Sequence, residues 1–356
     1  MKIGIFGAPT DPEVKILKQR IINRGVECLV VDLSRFPRHL SLAFSRNAIL
    51  ADDFDLLELD AAYLRSSGGR RTDLMKFDER GNLLPIRFAT DEEQKNARHQ
   101  FTAYVERERI LRAIQQSVLR VFEHTRPLVN PLGPNALHRL KPFLYHFLGR
   151  RGVPVPRFMA ASAGEDLSGF AARNTAFGKQ TVVKPLAGIF KTRLQTPEEW
   201  RTGSWKIRGS LYQEYVEGDT LRCYVLDNRL IAAAKILFRG TVDSSLSQTG
   251  IEVVDLPAQA EGCAITAAKT VQAQFCGIDI MRDRRTGRYH PIDCNFSPMF
   301  ANFARLSRID IAADLADYLI RLAGGSQAQR PIGVSLLEEA KELLTEDAEI
   351  RRKLGM

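Results

Sequence analysis

Two apolar segments near the end of the chain, each carrying oxygen-bearing side chains, constrain the fold most. FCGIDIM (275–281) and YHPIDCN (289–295) flank the polar sequence RDRRTGR. Apolar runs on either side of a polar turn are typical of paired, buried strands. Such a hairpin brings Asp279 close to Asp293 and Asn295, whose oxygens suit Mg²⁺, a cation that also binds substrate phosphates. The hairpin indicates nucleotide chemistry, although an Asp inside an apolar strand can also be purely structural, and the pair alone does not separate these interpretations.

Composition bounds the class of protein. At 356 residues with 44% hydrophobic content, the chain is long enough for two or three lobes. It has no run of eighteen apolar residues, so we expect no membrane span. The N-terminal sequence MKIGIFGAP is more typical of the start of a strand than of a signal peptide. The five cysteines are odd in number and form no CxxC pair, which indicates reduced thiols in a cytoplasmic protein.

The charge balance is basic. A net charge of +9 fits an anionic partner such as ATP or an acidic peptide. A nucleic acid is not favoured, because zinc-ligand spacing, an RNA-binding aromatic motif and a long basic tract are all missing from the sequence.

The first segment has the rhythm of a parallel αβ unit. Lys2–Phe6 predicts a strand, Asp11 and Pro12 predict a capped helix start, and residues 27–33 and 61–64 predict further strands. No GxGxxG follows the first strand, so a dinucleotide-binding fold is not predicted. The other predicted elements are helices over 101–122, through Lys141, over 264–274, over 309–322 and after the capping box at Ser335; strands over 157–160, 182–185 and 211–216; and a hairpin of 221–226 with 229–237 about Asp227-Asn228.

Several polar residues interrupt apolar strands upstream of the hairpin. Lys184 lies in VVKP, where a buried ammonium requires an anionic partner unless it reaches solvent at the strand end. The segment 213–219, QEYVEGD, has the form of a strand followed by a turn that could hold an adenine edge and ribose, or that could be an ordinary turn. Arg222 and Lys235 lie on adjacent hairpin strands, where they could face phosphates.

In this order, these residues resemble the ATP-grasp superfamily, most closely its RimK-like branch of carboxylate–amine ligases. QEYVEGDTLRCYVLDNRLIAAAKI is similar to the adenine hinge and following hairpin of that branch, and GIDIMRDRRTGRYHPIDCNFSP to its metal strands. The resemblance covers about residues 130–322. It implies an α/β ATP-grasp fold with a Rossmann-like pre-grasp domain at residues 1–126, a central lobe at 127–210, a C-terminal lobe at 211–325 and a helical tail at 326–356.

The resemblance also implies roles for individual residues. They are ATP contacts by Lys141, Lys184, Gln213, Glu214, Tyr215 and Val216, with Glu214 and Val216 acting through main-chain groups; ribose binding by Glu217 or Asp219; catalytic contacts to the triphosphate or an acyl phosphate by Arg222 and Lys235; and one or two Mg²⁺ held by Asp279, Asp293 and Asn295. The implied reaction activates a carboxylate with ATP and joins it to an amine or a hydroxyl.

The sequence departs from the branch at four places. Asp293 stands where Glu is usual, and Met299-Phe300 replaces the Gly after Ser297-Pro298, which would narrow the substrate end. The phosphate-covering loop at 186–193 has a single glycine and two added cations. An expected Arg is missing from the segment 243–250; either Arg239 substitutes for it or the substrate differs.

These features leave several functions open. The leading hypothesis is a ligase acting on an amino acid or a peptide. The alternatives are a graspetide-type synthetase, which makes side-chain esters or amides in a ribosomal peptide, a non-catalytic ATP-binding regulator, and a kinase-like member. The sequence does not decide whether the protein forms a homo-oligomer.

Overall fold

The computed structural model describes residues 1–67, 109–137, 140–161, 167–186, 192–195, 210–238 and 248–325. Five sequence predictions fall wholly or partly outside these ranges: the start of the helix from residue 101, the phosphate-covering loop, Arg239, most of the segment 243–250 and the tail helix after Ser335. Within the described ranges, no helix is both long enough and apolar enough to cross a membrane.

The first lobe is built on a parallel sheet, as the sequence predicts. Strand β1 pairs in parallel with β2 and β6, and β6 with β7, giving the order β2-β1-β6-β7. The first helix begins where expected, because the Asp11 side chain accepts a hydrogen bond from the Glu13 amide at 2.9 Å and Pro12 occupies the first turn. The elements are β1 (Lys2–Phe6), α1 (Pro12–Ile22), β2 (Glu27–Val31), a small antiparallel sheet of β3 (Leu42–Phe44), β4 (Ile49–Ala51) and β5 (Phe54–Asp55), then β6 (Ala61–Leu64), α2 (described over 109–125) and β7 (Leu128–Val129).

The next part of the chain forms a four-stranded antiparallel sheet in the order β10-β9-β11-β8. Its central strands place Lys184 opposite Leu211, and Gln213 opposite Val182. Its elements and the helices before it are α3 (Leu132–Leu137), α4 (Lys141–Arg150), β8 (Phe158–Ala161), α5 (Leu167–Ala176), β9 (Thr181–Pro185), β10 (Arg193–Leu194) and β11 (Ser210–Glu214).

A five-stranded antiparallel sheet follows, in the order β14-β13-β12-β15-β16. The hairpin between β12 and β13 turns at Asp227 and Asn228 as predicted; both have positive φ, 50° and 60°, which matches the twist of paired strands. The elements are β12 (Gly218–Leu226), β13 (Arg229–Phe238), β14 (Gln248–Val253), α6 (Ala258–Thr270), β15 (Phe275–Asp283), β16 (Tyr289–Asn295), α7 (Ala301–Ser307) and α8 (Ile311–Gly324).

The two faces of this sheet are buried against different partners. One face packs on α6, which presents a stripe of buried alanines, and on α4. The other face shares a hydrophobic core with the first lobe and α8, in which Tyr224 and Phe275 join Ile3, Ile5 and Leu315. The first lobe is therefore fixed against the strands that carry the predicted metal ligands.

Several boundary predictions are wrong by a few residues, among them the end of β2, which lies at Val31 rather than at residue 33. Helix α6 begins after Pro257, six residues earlier than predicted, and ends at Thr270, because Gln272 adopts a left-handed conformation with φ 54°. Helix α8 is shifted by two residues, and β11 ends at Glu214 rather than at residue 216. Lys141 starts a new helix instead of lying inside one. The division into four lobes stays a prediction; β7, just past residue 126, pairs with the first sheet.

Candidate active site

Three charged residues lie side by side across the middle of the C-terminal sheet. Arg222 on β12 is in register with Asp279 on β15, which is in register with Asp293 on β16. Residues paired in register share one face of a sheet. The Arg222 guanidinium binds both carboxylate oxygens of Asp279, with Nη2 donating to Oδ2 at 2.9 Å and Nε donating to Oδ1. The sequence prediction that Asp279 and Asp293 meet on paired strands is confirmed.

A β-bulge next to this row exposes one main-chain carbonyl. The register between β15 and β16 shifts after Asp279, and Ile292 is left without a partner in the ladder. Its carbonyl accepts hydrogen bonds from the Tyr145 hydroxyl and from Lys184 Nζ, the latter at 2.8 Å. Lys184 Nζ also lies 3.1 Å from the Tyr145 hydroxyl. The bulge thus brings Lys184, on β9 of the second sheet, into contact with β16.

A second lysine reaches the same place from helix α4. Lys141 is the first residue of α4, and its Nζ lies 2.8 Å from Oδ1 of Asp293. Lys141 and Tyr145 are four residues apart and therefore lie on one face of the helix. That spacing is a signal that could have found Tyr145, which the sequence analysis missed.

Burial sets the proton affinities in this row. Burial raises the pKa of Asp279, while Arg222 lowers it and the neighbouring Asp293 carboxylate raises it. Asp279, in turn, raises the pKa of Arg222. Burial also raises the pKa of Tyr145 well above its ordinary value, so the hydroxyl stays a neutral donor. A cation placed beside Asp279 would therefore stabilise its ionised form.

The side-chain oxygens gathered here fit a Mg²⁺ site whose remaining ligands would be waters and substrate phosphates. Within the described ranges, no three or more His, Cys, Asp or Glu side chains come together as a metal cluster. The candidate ligands are the two carboxylates in register and the nearby Asn295 amide oxygen. Mg²⁺ commonly takes few protein ligands beside waters and phosphates. Asn295 Oδ1 accepts a hydrogen bond from the Ser297 amide at 3.0 Å, which fixes its orientation.

The predicted hinge follows β11. The amides of Glu214 and Tyr215 are already used, donating to the carbonyls of Arg157 at 2.8 Å and Gln180 at 2.9 Å. The candidate main-chain pair for an adenine edge is therefore the carbonyl of Glu214 and the amide of the buried Val216. Within the described ranges, the Val216 amide makes no hydrogen bond. Gln213 is 2% exposed, and its Nε2 has no partner among the described atoms.

The other predicted ligands are held in ion pairs. Glu217 pairs with Arg284 at 3.2 Å, both on the surface, and Asp219 pairs with Lys235 at 2.8 Å. Lys235 is in register with Leu221, one residue out of phase with Arg222, so it belongs to the opposite face of the sheet. The structure does not bring Lys235 into the Arg222 row, and its catalytic role stays a prediction.

Met299 and Phe300, which follow Ser297-Pro298 where a glycine was expected, have different environments. Met299 is 62% exposed, whereas Phe300 is fully buried beside Phe275, with ring centroids 6.1 Å apart. Of the two, only Met299 could narrow a substrate site in the predicted way, because Phe300 belongs to the core.

A separate ion-pair cluster ties the hinge to the turn after β15. Lys179 Nζ lies 2.8 Å from Asp283 Oδ2 and 3.5 Å from Glu214 Oε1, and Arg157 Nε lies 2.7 Å from Glu214 Oε2. Burial alone would raise the pKa of Asp283, but hydrogen bonds from Lys179 and from the amides of Arg285 and Thr286 lower it to about 2. No local sequence pattern predicts this cluster, since its partners lie far apart in the chain.

This cluster makes a prediction about stability and pH. Because the pKa of Asp283 is lowered on folding, its contribution is present above the ordinary Asp pKa and is lost as the pH falls toward about 2. We expect Asp283→Asn to lower the free energy of unfolding by about 1–2 kcal/mol at pH 7, and the difference to shrink below about pH 4. Melting temperatures at pH 7 and pH 2.5 measure it. Glu58→Gln, which breaks an exposed ion pair with Lys2, should change little at either pH; an equal Asp283→Asn effect at both pH values would contradict the assignment.

Comparison with solved structures identifies the fold. An ATP-grasp ligase, PsnB, in complex with a minimal precursor, Mg and ADP, is similar over 91% of this chain and 98% of its own, with a TM-score of 0.70 and 26% identity. The macrocyclase MdnC from Microcystis aeruginosa MRC, bound to its precursor peptide MdnA, has a TM-score of 0.66 over 90% of this chain and 99% of its own. At 17% identity, MdnC supports the fold alone. The fold is therefore the α/β ATP-grasp fold, as the sequence predicts.

Sequence comparison then identifies the family. Residues 141–319 match the RimK-like ATP-grasp domain, half of the chain. The chain belongs to the RimK-like ATP-grasp family, and the resemblance read from its sequence is confirmed. A probable alpha-L-glutamate ligase of Enterobacter sp. (strain 638) is 28% identical over 188 residues, which is 49% of this chain and 61% of that protein. The match thus spans about three fifths of the length of this curated relative.

Proposed function

We propose that this protein is an ATP-dependent ligase that activates a carboxylate as an acyl phosphate and joins it to an amine or a hydroxyl. The observation that carries the proposal is the row Arg222, Asp279 and Asp293, with Lys141 and Lys184 converging on its β16 end. A carboxylate is a poor electrophile and repels ATP, so a site that activates it needs several cations beside a metal-binding set. Family membership supports the same reaction class.

The side chains can bind the nucleotide by exchanging partners. Lys141 and Arg222 now neutralise Asp293 and Asp279, and we propose that they turn to the phosphates when those carboxylates hold Mg²⁺. Lys184 sits on β9 with its ammonium at the Ile292 carbonyl, a position suited to a phosphate contact from the central lobe. When bound, one or two Mg²⁺ neutralise phosphate charge and align the transferred group. Asn295 would supply a further oxygen.

The nucleoside end belongs to the hinge in this proposal. The Glu214 carbonyl and the Val216 amide would bind the adenine edge, next to Gln213 and Tyr215, and Glu217 or Asp219 would bind the ribose. Lys235 would reach the triphosphate only if it left its ion pair with Asp219. The four-lobe division is proposed with this arrangement, with ATP between the central and C-terminal sheets.

The thiols support a mechanism without a covalent protein nucleophile. Burial raises the pKa of Cys28 and of Cys263 to about 11, and it also raises the pKa of Cys223 and Cys276. Thiols with raised pKa values are poor nucleophiles at neutral pH. In the proposed reaction the acceptor attacks the acyl phosphate directly, and this step requires no nucleophile from the protein.

A peptide is the substrate we favour. The similarity to PsnB, whose structure contains a minimal precursor, extends over 91% of this chain and includes the first lobe. The similarity to the Enterobacter glutamate ligase covers 49%. The basic net charge also suits an acidic peptide. We therefore propose side-chain ester or amide formation in a peptide, which is the graspetide-type reaction.

A free amino acid is the second candidate, favoured by the similarity to alpha-L-glutamate ligases. Mass spectrometry of glutamate-rich peptides incubated with ATP, Mg²⁺ and free L-glutamate separates the two. Loss of one water from the peptide indicates an internal link, and gain of a glutamyl residue indicates amino-acid addition.

The activation step has its own test. We expect ¹⁸O placed in the reacting carboxylate to appear in the released inorganic phosphate, because the acyl phosphate passes that oxygen on when the acceptor attacks. ATP binding without ADP release across acidic peptides and amino acids would instead support the non-catalytic alternative. ADP release without inorganic phosphate would support a kinase-like reaction, and ADP release with label-free phosphate would support uncoupled hydrolysis of ATP.

A further inference from the structure

Arg65 of the first lobe reaches the segment that follows the predicted metal ligands. It lies directly after β6, and its side chain is 13% exposed. Its Nη1 donates to the Ser297 carbonyl at 2.5 Å and lies 2.9 Å from Ser297 Oγ, and Ser297 Oγ donates to the Arg65 carbonyl at 2.8 Å. These two residues, 232 positions apart in the chain, therefore hold each other by both main-chain and side-chain groups.

Ser297 passes this restraint to Asn295. The Ser297 amide donates to Asn295 Oδ1 at 3.0 Å, a local turn that fixes the amide plane. An amide oxygen has two lone pairs, so this hydrogen bond leaves one for a metal ion. The position of Ser297 thus determines where the remaining lone pair of Asn295 points.

The guanidinium is itself fixed by the first turn of α1. Nε donates to Asp11 Oδ2 at 3.0 Å, and Nη2 donates to Glu13 Oε2 at 3.4 Å. Asp11 also caps α1, so the anchor is part of the helix start. Glu13 Oε1 accepts a hydrogen bond from the Ala301 amide at 3.2 Å. The first lobe therefore forms hydrogen bonds with both ends of residues 297–301, which we call the post-strand segment.

Two further contacts fix the middle of the post-strand segment. The Tyr224 hydroxyl donates to the Met299 carbonyl at 2.6 Å. Gly277 on β15 leaves room for Pro298, since a Cβ there would lie 2.7 Å from Pro298 Cβ. A segment held at Ser297, Pro298, Met299 and Ala301 has little freedom to relax when one contact is altered.

We propose that Arg65 is a positioning residue for the metal site, which orients Asn295 through Ser297 and so sets the affinity of the site for a divalent cation. The inference rests on the proposed function, because it takes Asn295 as a ligand of Mg²⁺. Partners that orient metal ligands contribute about 10- to 100-fold to metal affinity in other proteins. Three separate nitrogens of the guanidinium bind Asp11, Glu13 and Ser297, a planar fork that the compact ammonium of a lysine does not reproduce.

The test is direct metal binding by the full-length protein. Electron paramagnetic resonance of free Mn²⁺, titrated with protein in the presence of AMPPNP, gives the metal affinity without turnover. We expect Arg65→Lys to weaken Mn²⁺ binding about 10-fold, and Ser297→Ala to weaken it less, because the main-chain carbonyl of residue 297 still accepts from Arg65. Binding of metal-free AMPPNP should be unchanged in both variants.

Arg24→Lys is the matched control. Arg24 follows the end of α1 and makes a comparable ion pair with α8, with Nη2 at 2.8 Å from Asp317 Oδ2, and it does not touch the post-strand segment. Its Mn²⁺ affinity should equal that of the wild type. Wild-type affinity in both Arg65→Lys and Ser297→Ala would overturn the inference while leaving the proposed function intact. If Arg65→Lys fails to fold by circular dichroism, Ser297→Ala decides the question alone. Failure of the wild-type protein to bind Mn²⁺ with nucleotide would reject the proposed metal site itself.

Discussion

Replacing Asp293 with Asn is expected to reduce ATP turnover by at least about 100-fold, the size of effect seen when one group that stabilises transition-state charge is removed. Asp293 faces Asp279 in register and carries Lys141 on one oxygen. The substitution preserves shape and removes the negative charge that Mg²⁺ requires. Lys141 is 20% exposed and can reach solvent when its partner is neutral, so the protein should still fold. Turnover is measured as ADP release at saturating ATP and Mg²⁺ with an acidic peptide.

The control for this variant is Asp317→Asn on α8. Asp317 also pairs with a cation, Arg24, but lies on the surface of another element. It should keep wild-type turnover. Asp279→Asn is a less clean variant, because it leaves the Arg222 guanidinium, which is 25% exposed, without its carboxylate. An Asp293→Asn protein with wild-type turnover would show that the row is not the metal site.

Gly218→Ala is expected to prevent stable folding of the C-terminal lobe. A Cβ at Gly218 would lie 1.7 Å from the Arg282 carbonyl oxygen, a main-chain atom of the paired strand β15. Gly218 is the first residue of β12 and pairs with Asp283, the last residue of β15, so relief requires the two strands to separate from this end, which we expect to cost about 3 kcal/mol. The displacement would also shift the strands that carry Arg222 and Asp279. Thermal unfolding followed by circular dichroism, together with soluble yield, measures the effect.

Gly262→Ala is the opposite case and the control. Gly262 lies inside helix α6, where an added Cβ meets nothing within 4 Å. Alanine favours a helix interior over glycine by about 1 kcal/mol, so this variant should melt at a higher temperature than the wild type. Equal melting temperatures for the Gly218→Ala and wild-type proteins would mean that β12 and β15 are not paired in the register described.

Local sequence patterns predicted much of this molecule. The strand pair around Asp279 and Asp293 follows from apolar runs and a polar turn, and the cap at Asp11 follows from Asp-Pro before a helical period. The order of the motifs along the chain predicted the ATP-grasp fold. The hairpin and the helix cap each lie within a stretch of chain short enough for the pattern to be visible.

The rest depends on contacts between distant parts of the chain. Arg65 meets Ser297 across 232 residues, and Lys179 meets Asp283 across 104. The bulge at Ile292 leaves no mark in the alternation of side chains, yet it supplies the carbonyl that holds Lys184. The face that Lys235 occupies belongs to the same group: the period of two places it on the other face from Arg222 only once the register of the hairpin is known.

The central claim is that Asp279 and Asp293 form the Mg²⁺ site of a bound nucleotide, and calorimetric titration of AMPPNP with and without Mg²⁺ tests it most directly. Mg²⁺ should strengthen AMPPNP binding to the wild-type protein, and Asp293→Asn should remove most of that strengthening while leaving metal-free binding unchanged or tighter, because Lys141 is then released to the phosphates. The same Mg²⁺ dependence in both proteins would contradict the account.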